Sequence, residues 1–170
     1  MAATTAADII HDVAYDHYGR RVATCSSDNT IQVFDEAGQK VAEWKAHSGS
    51  IWRLAWVHPE FGNALASCSF DRKVCLWEDN MDAEEAAIAQ QLEQQQQPPL
   101  QPSLLQQQPP PTPSAIRAWP RVAEIADARD SVVDLQFAPH HFGLRLASCG
   151  ADGIVRVHEW PDVLDLSSCD

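Results

Sequence analysis

Apolar and polar positions alternate in short runs along this chain, and the runs return at a regular pitch. One template, anchored on a glycine, fits three places: Gly19, Gly62 and Gly143. Ala follows four residues on (Ala23, Ala66, Ala147), Cys six on (Cys25, Cys68, Cys149) and Asp nine on (Asp28, Asp71, Asp152). A β-branched residue stands twelve on (Ile31, Val74, Val155), and an aromatic precedes each anchor (Tyr18, Phe61, Phe142). The spacing predicts a strand before each anchor, over 10–15, 51–56 and 132–137. A second strand follows it, over 21–26, 64–69 and 145–149. Each second strand runs into a tight polar turn at Asp28, Asp71 or Asp152, and a third strand leaves the turn. Period-two alternation supports that third strand at Ile31–Val33 and Val74–Leu76, and nearly so at Ile154–Val157. A fourth, edge strand fits 40–44 and 121–125. Four short antiparallel strands per unit of about 43 residues are the pattern of a propeller blade.

The pitch is broken once. Asp28 and Asp71 are 43 residues apart, whereas Asp71 and Asp152 are 81 apart. The excess falls at 83–116, rich in Gln, Pro, Ala and Glu; Gln90 to Pro113 alone holds ten Gln and seven Pro. Such a stretch has too little apolar surface to offset its ordering entropy and reads as a disordered loop insertion, with a frayed helix possible over 82–97. The expected organisation is therefore 1–82, blade 1 and most of blade 2; 83–116, the insert; 117–170, the last strand of blade 2 and an incomplete blade 3. The fold class is all-β, a partial propeller of about three blades. Its unpaired strands and uncovered sheet faces call for a partner.

Composition narrows the function. Net charge is −12 and the pI about 4.8, so phosphate backbones and anionic membrane surfaces are repelled and direct nucleic-acid binding is not expected. No apolar run approaches the length of a membrane span and no secretory signal is readable, so no membrane insertion is expected and the five cysteines should remain thiols.

Repeat two, with Ala46, His47, Ser67, Asp71 and Trp77, resembles a WD repeat. In that family a His, a Ser or Thr, the turn Asp and a third-strand Trp form a hydrogen-bonded chain that locks the blade. The resemblance implies that role for His47, Ser67, Asp71 and Trp77. The other repeats depart from it: Phe34 and His158 stand at the Trp position, Thr4 and Ala128 at the His position. The run from His47 through Trp52, Trp56 and Pro59 to Gly62, with the segment around Ser67–Arg72, resembles a short-propeller subfamily. Its members include an outer-ring scaffold nucleoporin of the nuclear pore and the propeller subunit of the COPII coat cage. Pro139 to Gly143, Asp152 to Val157 and Pro161 to Leu166 are more similar to the nucleoporin. The resemblance implies a six-bladed propeller, of which this chain looks like the N-terminal half. It also implies an α-solenoid partner that donates strands beside blade 1, where Ile10, Val13 and Tyr15 would form the receiving edge, and contacts with other outer-ring nucleoporins. The implied role is support of mRNA and protein transport at the nuclear envelope. The alternatives are a coat subunit on the cytoplasmic face of the ER, or a generic WD-repeat adaptor.

Two enzyme-like readings compete with scaffolding. Ser67, His47 and Asp71 are the residue types of a hydrolytic triad, but their spacing follows the repeat, which favours a structural chain. Cys25, Cys68 and Cys149 share one strand position in successive blades, too far apart for a common ion, and read as small buried hydrophobes. His140 and His141 read as a solvated turn. No Gly-rich phosphate loop, Cys-x-x-Cys pair or His-Glu-x-x-His stretch is present. No catalytic residue, metal or cofactor is expected.

Overall fold

The computed structural model describes residues 8–79 and 118–161. The insert at 83–116, the helix considered over 82–97 and the domain boundaries drawn around them lie outside the described residues, as do Thr4 and the C-terminal segment beyond Pro161. The described residues form eleven strands and two 3-10 turns, with no α-helix among them.

Three antiparallel sheets follow one another along the chain. Blade 1 is β1 (Ile10–Tyr15), β2 (Val22–Ser26), β3 (Thr30–Phe34) and β4 (Lys40–Lys45), paired in sequence order. Blade 2 is β5 (Ile51–Trp56), β6 (Ala64–Ser69), β7 (Val74–Glu78) and β8 (Arg121–Ile125), in the same order. Blade 3 has β9 (Val132–Phe137), β10 (Arg145–Gly150) and β11 (Val155–Glu159). The all-β, blade-by-blade architecture expected from the repeat is the one observed. Most strand bounds shift by a residue or two, since ladder pairing outlasts the alternation that marks a strand in sequence.

The irregularities repeat as faithfully as the strands. In each first strand one extra residue is bulged: Ile10 and Asp12 pair with Ser26 and Cys25, Ile51 and Arg53 with Ser69 and Cys68, Val132 and Asp134 with Gly150 and Cys149. The bulge bends the strand and raises its twist, which lets neighbouring blades splay around an axis. After each turn Asp the backbone is left-handed, at Asn29 (φ 69°), Arg72 (φ 71°) and Gly153 (φ 75°). The turn Asp sustains this bend by accepting the amide two residues on: Thr30 N at 2.9 Å, Lys73 N at 3.1 Å and Ile154 N at 3.1 Å. That is the Asx turn for which Asp is favoured.

Burial explains why blade 2 is the centre of the stack. Every residue of β6 is buried, and successive side chains leave opposite faces of a strand. Ile51, Leu65, Cys75 and Trp77 join one core with Ala23, Cys25 and Ile31 of blade 1. Ala66, Cys68, Val74 and Leu76 join a second core with Val132, Leu135 and Leu146 of blade 3. Leu65, Leu76 and Leu146 are fully buried, and each contributes about 1.5–3 kcal/mol by leaving water.

Candidate functional site

Blade 2 carries a continuous polar chain through its interior. His47, just before β5, places Nδ1 3.1 and 3.0 Å from the two Asp71 carboxylate oxygens and Nε2 2.8 Å from Ser67 Oγ. Trp77 Nε1 lies 2.8 Å from the same hydroxyl. An indole N–H can only donate, so Ser67 Oγ accepts it, gives its proton to His47 Nε2, and leaves Nδ1–H to donate to Asp71. Asp71 also accepts the Ser48 amide at 3.0 Å. Burial by itself would push the Asp71 carboxyl up; the bonds from His47 and from the Ser48 and Lys73 amides outweigh it and hold the pKa well below the ordinary range. Ser67 and the His47 side chain have no exposed surface. A substrate has no path to the hydroxyl in this arrangement.

Among the described residues the chain does not recur in blades 1 and 3. Asp28 accepts from Ser26 Oγ at 2.5 Å and from the Thr30 hydroxyl and amide of its own turn. In blade 3, where Ala128 replaces the His, Asp152 turns to Arg156, whose Nη2 is 2.7 Å away, while the Arg129 amide takes the place of the Ser48 amide at 3.0 Å. The Arg156 guanidinium holds the Asp152 carboxyl well below the usual range. His158, at the Trp77 position, is buried, and its Nε2 meets no partner among the described residues; desolvation lowers its pKa. The Arg156 substitution escaped the sequence reading, because the family pattern asks for a His before the first strand and an Arg on the third strand has no place in it. A cation four residues past a turn Asp that lacks its His is the signal that could have found it.

Ile10, Val13 and Tyr15 lie on β1, which pairs only with β2 among the described strands. They are 42, 58 and 69% exposed. Between them, Asp12 turns to blade 2, accepting the Leu54 amide at 2.9 Å, and Ala14 packs into the core shared with blade 2. Ile10, Val13 and Tyr15 therefore share the opposite face of the sheet. A groove of about 330 Å³ opens beside Tyr15, lined by Val22, Phe34 and the Gly19–Arg21 loop. The equivalent positions of blade 2, Trp56, Leu65 and Trp77, are where blade 1 docks: Trp44 of β4 packs on Trp77 with ring centres 5.6 Å apart. Trp119, entering β8, stacks on Trp44 at 5.4 Å, and Arg21 sits over Trp56 at 4.8 Å.

Two of the repeated thiols, Cys25 and Cys68, face the next blade. Cys25 is buried, donating to Ile51 O at 3.4 Å, and Cys68 is buried beside Val132. Burial pushes the Cys25 thiol up to about 12 and Cys68 higher still. Cys149 has the same strand register but is only half-buried, on a face shared with Val155 and Val157, which are 70 and 59% exposed. Thus the described stack ends in two uncovered apolar faces. Among the described residues no group of three or more His, Cys, Asp or Glu side chains is arranged to hold a metal ion, and no helix is long and apolar enough to cross a membrane.

These features define the class: stacked four-stranded blades with an Asp turn and a His–Ser–Asp–Trp chain make this a WD-repeat protein. The family model for the WD domain, G-beta repeat, matches residues 3–35 and 38–78. The nucleoporin SEH1 of Bos taurus and that of Homo sapiens are each 44% identical to the chain over 164 residues, and that of Danio rerio is 43% identical. Each alignment covers 94% of this chain and 38–39% of the relative. The chain belongs to the WD-repeat nucleoporin family, and it spans about two fifths of the length of the curated relatives it matches.

Proposed function

We propose that this chain is a non-enzymatic scaffold of the nuclear pore. It acts at the nuclear envelope within the outer-ring subcomplex, supporting mRNA and protein transport by holding other nucleoporins in place. The observation that carries the reading is the 44% identity to nucleoporin SEH1 over 94% of the chain, joined to a rigid stack that offers apolar sheet faces. His47, Ser67, Asp71 and Trp77 act in this account as the lock that fixes the blade 2 turn to its inner strand. Asp28 and Asp152 hold the turns of the flanking blades.

The receiving surface is the Ile10, Val13 and Tyr15 face of blade 1. Its occupant is a strand-bearing segment donated by an α-solenoid scaffold protein, adding a sheet to the stack. The blade 1–blade 2 seam supplies the pattern for the fit: the donated sheet presents an aromatic to the Tyr15, Val22 and Phe34 groove, as Trp44 does to Trp77. Main-chain pairing along β1 is compatible with this, but the side-chain arrangement makes face-to-face packing the larger contribution.

Crosslinking and affinity capture of the tagged chain from cells test the reading. Outer-ring nucleoporins should be recovered, and Val13→Glu with Tyr15→Glu should reduce recovery of the solenoid partner at least about tenfold, the result of burying charge in an apolar seam. Recovery of coat-cage proteins instead, or unchanged capture by the double variant, contradicts it.

A further inference from the structure

The loops between the first and second strands of the three blades converge at one end of the stack, and their rings touch in an unbroken series. His17 contacts Tyr18 (ring centres 5.2 Å apart) and His58 (4.7 Å); His58 stacks on His140 at 4.4 Å with planes 14° apart. His140 meets His141 at 5.8 Å, and His141 meets Phe142 at 4.2 Å. Six rings thus link three blades, and five of them are exposed, with His58 half-buried. Four of the chain's seven histidines lie in this row. Beside it runs a groove of about 520 Å³ whose walls include Tyr15, Trp56 and Phe137 along with His17, His58 and His140.

We infer that this ring row and its groove form a docking site for an acidic peptide segment of a partner protein, engaged as the histidines take up protons. The argument is one of charge complementarity. The chain as a whole is strongly negative, yet this end carries imidazoles, Arg20 over the Tyr18 ring at 5.7 Å, and Arg21 beside the groove. The carboxylates brought to the row are few. Asp16 is buried and committed to Arg21 at 3.3 Å and to the Arg20 amide. Glu60 stands 3.9 Å from His58 Nδ1, itself largely exposed. His58 Nδ1 accepts the Glu60 amide at 3.3 Å, which places the neutral ring's proton on Nε2.

Without a partner, His58 resists protonation. Desolvation and the charges of His140 and His17 lower the His58 pKa, and Glu60 only partly opposes them. Carboxylates laid along the row remove that repulsion, so peptide binding and proton uptake reinforce each other: the bound state holds the higher pKa, and affinity rises as pH falls. The groove's aromatic walls suit acidic segments that also carry apolar side chains. A dense polyphosphate is disfavoured by the net charge of −12. The site adjoins the blade 1 face at Tyr15 and does not depend on the function proposed above.

The test is an anisotropy titration of the intact chain with a fluorescein-labelled peptide of alternating Glu and Phe residues, at about pH 6 and about pH 7.5 and constant ionic strength. By linkage, a one-unit rise in the pKa of one histidine on binding makes binding roughly four- to fivefold tighter at about pH 6 than at about pH 7.5. His58→Gln with His140→Gln should abolish the pH dependence. His17→Gln, in an exposed loop, should reduce it and serves if the double variant folds poorly. Equal affinity at the two pH values overturns the inference, and so does a pH dependence that persists in the double variant or is undiminished in His17→Gln. A single-stranded oligonucleotide bound as tightly as the peptide overturns the assignment to an acidic protein segment.

Discussion

Trp77→Ala is expected to lower the stability of the fold by about 3–5 kcal/mol, the range for deleting a buried aromatic side chain. The side chain is 5% exposed, packs on Trp44, and donates to Ser67 at 2.8 Å. Its loss opens a cavity at the blade 1–blade 2 seam and removes a donor from a buried hydroxyl at once. Trp77→Phe separates the two effects. Phe34 occupies the equivalent strand position of blade 1 without an indole N–H, so a Phe side chain suits this ladder, and its cost should fall to roughly 1–2 kcal/mol, the worth of the lost hydrogen bond and a smaller void. Chemical denaturation of the three proteins measures both figures. Equal losses for Ala and Phe would show that the hydrogen bond, and not the packing, holds the seam.

The second large effect is expected at Asp71. Asp71→Ala removes the acceptor for His47 and for the Ser48 and Lys73 amides, and should cost about 3 kcal/mol, since each orphaned donor carries a desolvation penalty of about 1–3 kcal/mol when out of water. The effect has a pH signature. The native carboxyl titrates below its unfolded value, so its contribution is complete above the unfolded pKa of about 4 and is lost as pH falls through the native pKa. The difference in melting temperature between the native chain and Asp71→Ala should be constant from about pH 7 to pH 5 and shrink towards pH 2. A difference unchanged over the whole range would mean that the carboxylate charge is irrelevant to the lock.

Much of the fold was legible because the determinants are local and repeated. A glycine, a turn Asp and a β-branched residue at a constant offset mark the second and third strands, and the observed bounds follow. The residues of blade 2 that meet through hydrogen bonds were legible for the same reason, since the spacing from His47 to Asp71 matches a known repeat. What escaped was compensation between positions that no template links. Arg156 answers for the missing His in blade 3 through its position on β11, four residues past Asp152, and Ser26 and Thr30 do so locally in blade 1. Trp119 was invisible as a core residue because it lies beyond the insert, out of register with its partner Trp44. The row of rings at the loop end was read as a solvated turn at His140 and His141, because contacts between blades depend on loops whose lengths differ, with two fewer residues in blade 1 than in blade 2. Ile10, Val13 and Tyr15 were read as an edge; β1 is the end strand of its sheet among the described strands, and the three side chains also share the face opposite Asp12 and Ala14. This changes the geometry of the proposed contact without moving its place.

The account rests on three equivalent sheets, the first two each sheltered by the one that follows. Thiol alkylation of the native chain, followed residue by residue by mass spectrometry, tests that directly. Among the described cysteines Cys149 should be modified first, while Cys25, Cys68 and Cys75 react only as fast as the fold opens, because their thiols are buried and held protonated. Labelling of Cys25 or Cys68 at the rate of Cys149 would contradict the stacked-blade arrangement.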